Sequence, residues 1–330
     1  MDWNVTLSIG LLLLCAMLAI GAPIFVGFLA LNLFGVWYLF GGAGLGMLAN
    51  SITDSMSSLS LTTIPLFILM GEVLFRSGAV DVVFDSVDQL VGRVRGRLYV
   101  FTIALSTIFG ALSGSAVAVV AMLGRTVLPS MHGRGYDARL SASVIQAGAS
   151  LAPIIPPSLM AVLIGSMANV SISALLIAGL LPGLLLAVLT LGWVFVKIWR
   201  NPALAPVDED APTGPRRPLL AVVRLLPFSV IVFSIMGLML LGIATPSEAA
   251  ATGVAGSLLA AAWYRKLNIQ LIVQAMQSTA RISTMILAIL AASVFFGQLL
   301  SFTGATSNLV EDLSSVQLPP LLMFWLLTGR

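Results

Sequence analysis

The segment 152–158, Ala-Pro-Ile-Ile-Pro-Pro-Ser, places three prolines within five residues, in the middle of an apolar stretch running from 140 to 166. Proline carries no amide hydrogen, so a helix drawn through this stretch leaves the carbonyls of Ala149, Ala152 and Pro153 without donors four residues on. Free main-chain oxygens suit a cation such as sodium, and a helix restarting at Ser158 turns its first amides toward an anion. Ala149, Ala152, Pro153, Pro156, Pro157 and Ser158 are therefore candidate ion- and substrate-binding positions. A plain structural kink is the other reading, although one proline ordinarily suffices for a kink. A second polar group, Ser113-Gly114-Ser115, interrupts the apolar stretch 98–129. It offers two hydroxyls to a sodium ion and a glycine at which the main chain can approach a ligand closely. Small residues at such a place also serve helix packing.

Other polar residues carry less. Glu72 lies near the end of an apolar run, where it pairs with a nearby arginine or serves ion coupling. Arg125 either attracts a carboxylate or extends its head to the membrane surface. Thr245-Pro246-Ser247-Glu248 reads as a helix start, with Glu248 capping its own helix. His132 sits among polar residues and reads as solvated. Cys15 is the single cysteine, so neither a disulfide nor a thiolate metal site can form within the chain. No catalytic residue and no cofactor beyond a coupling sodium ion is expected.

The elements that must hold these residues follow from composition. Of 330 residues, 59% are hydrophobic and 9% charged, whereas soluble domains carry about a quarter charged residues. Long continuous apolar runs such as 172–196 exclude the alternating pattern of a membrane barrel. An all-α polytopic membrane protein remains, since only helices or closed barrels satisfy main-chain polar groups in lipid. The net charge of +3 comes from short basic clusters between apolar runs, which set topology and do not form a nucleic-acid surface. MDWN has no basic region ahead of the first apolar run, so that run reads as an uncleaved span.

Spans are expected at about 4–21, 23–40, 59–76, 140–166, 172–196, 218–241, 247–264 and 282–303. Lys and Arg fall at the ends assigned to one face, which places that face in the cytoplasm and the N-terminus in the periplasm. The stretch 98–129 is too long for one crossing yet is flanked by basic residues on one side. Its arms of 15 and 14 residues fit a re-entrant hairpin or two short tilted spans. The stretches 79–92 and 267–278 read as helices in the membrane interface or as ordinary loop helices.

Segment 71–79 resembles 297–305 at an offset of 226, and the two spans that carry them run in opposite directions. That is the signature of inverted repeats with a site near the midplane. The expected organisation is a first repeat over 1–200, a cytoplasmic linker over 201–218 with five prolines, and an incomplete second repeat over 219–330. The offset places the counterpart of Arg200 near position 426, about a hundred residues beyond Arg330. The run Leu318 to Leu327 is too short to span, so the C-terminal part, with a second hairpin and second broken helix, is expected to be missing.

With these motifs in order, the chain resembles the large membrane subunit of tripartite ATP-independent periplasmic (TRAP) transporters, the DctM-like family. The carrying segments are IPLFILMGEVLFRSG (64–78), FGALSGSAVAVVAMLG (109–124), LPSMHGRGYD (128–137), APIIPPS (152–158), IAGLLPGLLLA (177–187) and IATPSEAAATG (243–253). The resemblance implies an elevator-type transporter in the bacterial inner membrane and sodium-coupled import of an organic acid such as a dicarboxylate. It further implies a periplasmic substrate-binding protein and a small membrane subunit as partners. It places the hairpin tip on Ser113 to Ser115 and the first broken helix on Pro153, Pro156, Pro157 and Ser158; Arg125 is not carried over as a family position. The alternatives are a related secondary transporter of carboxylates that needs no binding protein, and an intramembrane enzyme. The scarcity of embedded carboxylates and the single histidine argue against the enzyme.

Overall fold

The computed structural model describes residues 3–91, 95–206 and 218–315. The regular elements among them are helical. In chain order they are α1 (Trp3–Ala19), α2 (Ile24–Phe40), α3 (Gly44–Met56), α4 (Thr63–Arg76), α5 (Ala79–Val91), α6 (Arg97–Ser113) and α7 (Ala116–Gly133). There follow α8 (Ala138–Ala149), α9 (Leu159–Met167), α10 (Ile172–Arg200), α11 (Pro218–Leu240), α12 (Pro246–Trp263), α13 (Ile269–Phe302) and α14 (Ala305–Ser315). Six helical stretches among the described residues are long and apolar enough to cross a membrane: 24–56, 59–76, 116–133, 172–200, 219–240 and 269–302. That architecture is a polytopic helical membrane protein.

The chain packs as two compact units, one from the described residues of 1–58 and 284–330, the other from 59–283. In the first unit, Val36, Leu48, Phe295 and Leu299 form the core, with Ile52 against them. Asn32 is fully buried there and donates from Nδ2 to the Ala292 carbonyl at 2.7 Å. Ser51 donates to Gln298 Oε1 at 2.7 Å. These bonds join residues more than 240 positions apart in sequence.

In the second unit, Val73, Ala261, Leu271 and Ala275 bring α4, α12 and the start of α13 together. Small residues let helices come close. A Cβ on Gly253 of α12 would lie 2.6 Å from Ile235 and 2.7 Å from Met70. The amphipathic α5 packs between α6 and α11, and its Asp88 forms an ion pair with the buried Arg97 at the start of α6.

Several expectations need correcting. Residues 41–58, which connect the expected spans 23–40 and 59–76, hold a further helix: after a turn at Gly41 (φ 59°) the chain winds into α3, because GLGMLANSITDSM contains no proline to oppose a helix. The stretch 267–278 is not a separate helix. It is the first part of the 34-residue α13, whose sequence from Ile269 has no proline, and no glycine or asparagine before Gly297, to end a helix. The hairpin arms are 17 and 18 residues long, not 15 and 14, because Pro129 is accommodated within α7 and the helix runs on to Gly133. His132 therefore belongs to a helical turn, although it is exposed.

The linker expected at 201–218 lies mostly outside the described residues. Its start is anchored. Arg95 donates to the Pro202 and Ala205 carbonyls at 2.8 and 3.1 Å, and the Tyr99 hydroxyl to the Leu204 carbonyl at 2.9 Å. Arg93, Arg216, Arg217 and the run from Leu318 to Leu327 also lie outside the described residues.

Candidate functional site

The apolar stretch 140–166 is two helices. α8 ends at Ala149, α9 begins at Leu159, and residues 150–158 turn between them. The prolines prevent helical pairing through this segment, so its carbonyls find nearer donors. Ala149 accepts from the Ala152 amide at 3.1 Å, and Leu151 accepts from Ile154 and Ile155 at 3.0 and 2.9 Å. The Pro153 carbonyl accepts from the Ser158 hydroxyl. Ala149 and Pro153 thus lack donors at the fourth residue as expected, yet both oxygens are partly engaged locally. Ala152, Pro156, Pro157 and Ser158 are buried, Pro153 is half-buried, and the Pro156–Pro157 bond is cis.

Ser158 does two things at once. Its extended backbone (φ −114°, ψ 121°) makes it the N-cap of α9, and its Oγ accepts from the Ala161 amide at 3.1 Å while donating to Pro153. One hydroxyl therefore holds both sides of the break.

The hairpin turn meets this break. Gly114 adopts a left-handed conformation (φ 60°) as the C-cap of α6, donating to the Gly110 carbonyl at 2.8 Å. Ser115 caps α7, its Oγ accepting from the Ala118 amide at 3.4 Å, and Ser113 Oγ accepts from the Ser115 amide at 3.3 Å. A Cβ placed on Gly114 would lie 3.1 Å from the Leu159 amide nitrogen and 3.2 Å from the Pro157 carbonyl oxygen. The turn between α6 and the N-terminus of α7 thus comes within van der Waals reach of the N-terminus of α9. Each of these N-termini presents amides with the positive end of a helix dipole.

Sequence reasoning missed what holds the break in place. A Cβ on Gly110 would lie 2.9 Å from Ala152 Cα, one on Gly179 would lie 2.5 Å from the Ile154 oxygen, and one on Gly183 would lie 2.6 Å from Ile155 Cγ1. The signal was present: Gly110/Gly114 and Gly179/Gly183 are both G-x-x-x-G pairs, which bring helix backbones together in membranes. Alanine in a helix interior ordinarily stabilises by ~1 kcal/mol over glycine. At Gly179 the sign reverses, because the methyl group meets main chain that cannot swing away. Gly179→Ala should cost about 1–2 kcal/mol, read as a lower midpoint in thermal unfolding of the detergent-purified protein.

The remaining candidates lie elsewhere. Arg125 is exposed on α7, ten residues past the cap and so about 15 Å along the helix from the turn. Glu72 accepts from Arg76 Nε at 2.9 Å, an ion pair within one helical turn. Glu248 accepts from the Thr245 amide at 2.8 Å, and Thr245 Oγ1 accepts from the Glu248 amide at 3.4 Å, a complete capping box. No group of three or more His, Cys, Asp or Glu side chains among the described residues could hold a metal ion.

Comparison with known proteins decides the family. The family described as "Tripartite ATP-independent periplasmic transporter, DctM component" matches residues 11–328. The chain belongs to this family. Similar proteins include the ectoine TRAP transporter large permease protein TeaC of Halomonas elongata, 31% identical over 93% of this chain and 70% of that one. The ectoine/5-hydroxyectoine TRAP transporter large permease protein UehC of Ruegeria pomeroyi is 28% identical over 94% of this chain and 72% of its own. The C4-dicarboxylate TRAP transporter large permease protein DctM of Pseudomonas aeruginosa is 27% identical over 86% and 65%. This TRAP permease is thus a multi-pass inner-membrane transporter subunit and not an enzyme. A carrier that works without a binding protein is not favoured.

Proposed function

We propose that the chain translocates a small carboxylate-bearing solute into the cell with sodium, receiving it from a periplasmic binding protein and working beside a small membrane subunit. The observation that carries this reading is the close approach of the hairpin turn, which leads into the capped start of α7, to the proline break, which leads into the capped start of α9. Amides at paired helix starts suit a carboxylate. The hydroxyls of Ser113 and Ser115 and the main-chain oxygens around Pro153 and Pro157 suit sodium, whose ligands are oxygens. Relatives whose names specify ectoine and C4-dicarboxylates support a small organic solute without choosing one.

The distribution of Lys and Arg supports a periplasmic N-terminus. The opposed similarity of 71–79 and 297–305 supports an inverted repeat, and with it alternating access in which the hairpin and the broken helix move as part of an elevator.

Proteoliposomes containing permease, small subunit and binding protein provide the test. Uptake of the cognate organic acid should require an inward sodium gradient and vanish when potassium replaces sodium. Uptake indifferent to that exchange would remove the coupling, and failure with every organic acid offered would remove the substrate class.

A further inference from the structure

The first thirteen residues of α13, Ile269 to Arg281, present three distinct faces. Gln274, Gln277, Ser278 and Arg281 recur at i, i+3, i+4 and i+7 and form a polar stripe. Leu271 and Ala275 are buried against α4 and α12. Ile269, Val273 and Met276, at i, i+4 and i+7, are 82%, 47% and 57% exposed.

The polar stripe faces Arg76, in the last turn of α4, across a cleft of about 180 Å³ lined by Arg76, Gln274, Gln277, Ser278 and Arg281. The cleft is organised and cationic. Arg76 donates from Nη1 to Gln274 Oε1 at 3.0 Å, from Nη2 to Ser278 Oγ at 2.8 Å and from Nε to Glu72 at 2.9 Å. With its oxygen committed to Arg76, Gln274 offers its amide nitrogen as a donor. Among the described residues no carboxylate lines the cleft, and Glu72, paired with Arg76 beside it, offsets that guanidinium's charge and leaves Arg281 to supply the cleft's positive charge.

We infer that this cleft binds the phosphate of an anionic phospholipid. Two guanidinium groups with amide and hydroxyl donors match a phosphate diester's oxygens. Position selects a lipid over a free anion, for two reasons. The cleft stands where α13 enters its apolar portion, at headgroup depth. The exposed apolar stripe also adjoins the polar one: on a helical wheel Val273 and Gln277 are about 40° apart, so acyl chains can lie on Val273 and Met276 while the headgroup occupies the cleft. Charged and apolar faces side by side on one helix are the pattern of an interfacial segment.

The test is native mass spectrometry of the full chain in detergent, titrated with phosphatidylglycerol, phosphatidylcholine or inorganic phosphate. Phosphatidylglycerol should be retained in preference to phosphatidylcholine, and millimolar phosphate should not displace it. Arg281→Gln should weaken that retention about fivefold, Arg281→Lys should restore most of it, and Arg200→Gln, at the exposed end of α10, should leave it unchanged. Equal retention of the two lipids, displacement by inorganic phosphate, or an Arg281→Gln protein that binds as Arg200→Gln does would each overturn the inference.

Discussion

Gly114→Val should reduce uptake by the reconstituted transporter by at least about tenfold while leaving the protein inserted in the membrane. Two costs combine at this position. The left-handed conformation (φ 60°) costs a residue with a Cβ ~1–2 kcal/mol, and a β-branched side chain suffers most. The added carbon would also press on Leu159 Cγ and the Leu159 amide nitrogen at 3.1 Å and on the Pro157 oxygen at 3.2 Å, and two of these three are main-chain atoms that cannot swing away. Either the turn opens or α9 shifts, and both separate the two helix starts. Because a displacement of about 1 Å at a positioned site can cost ~100-fold, the loss should fall on transport more than on stability. Gly114→Ala should show the same direction with a smaller effect. Uptake per inserted protein is the measurement, and a Gly114→Val transporter with unaltered uptake would remove the turn from the site.

Ser158→Ala is the second large effect, and here stability should fall. The substitution removes the α9 cap, which costs ~1 kcal/mol, and leaves the half-buried Pro153 carbonyl without its donor, which costs about 1 kcal/mol more. A total of about 2 kcal/mol should lower the thermal midpoint clearly. Ser158→Thr keeps the hydroxyl and should recover most of the loss. If alanine and threonine behaved alike, the hydroxyl would have no role in holding the break.

The legibility of the fold was uneven for identifiable reasons. The break at 150–158 and the turn at 113–115 could be read from the chain because proline and glycine impose local constraints that tertiary context rarely overrides. The Thr245 capping box was readable for the same local reason. What could not be read were decisions made by packing. Nothing local says whether 267–281 joins the following span, and its pattern of exposed Ile269, Val273 and Met276 beside Gln274 and Gln277 fits either an interfacial helix or the start of a long one. The helix at 44–56 was hidden by its mixture of Gly, Ser, Asn and Asp, a loop-like composition held helical by Leu48 and Ile52 against Phe295 and Leu299. Within the site, the serines and prolines were found by type, whereas Gly110, Gly179 and Gly183 act only through the partners they approach. The buried Arg97 with Asp88 escaped because sequence places such an arginine at a surface.

The uninterrupted course of α13 limits how the protein can be seated in its bilayer. At 34 residues it is a rod about 51 Å long, against ~30 Å of hydrocarbon. Even leaning by about 40°, the limit for membrane helices, such a rod engages only ~39 Å, or ~26 residues, within the oil. At least about eight residues must then project past the acyl region, and more at smaller inclinations. A thinner bilayer would draw more of the Gln274–Arg281 stripe clear of the lipid and a thicker one would submerge its charges, so acyl-chain length should change how firmly this helix is seated.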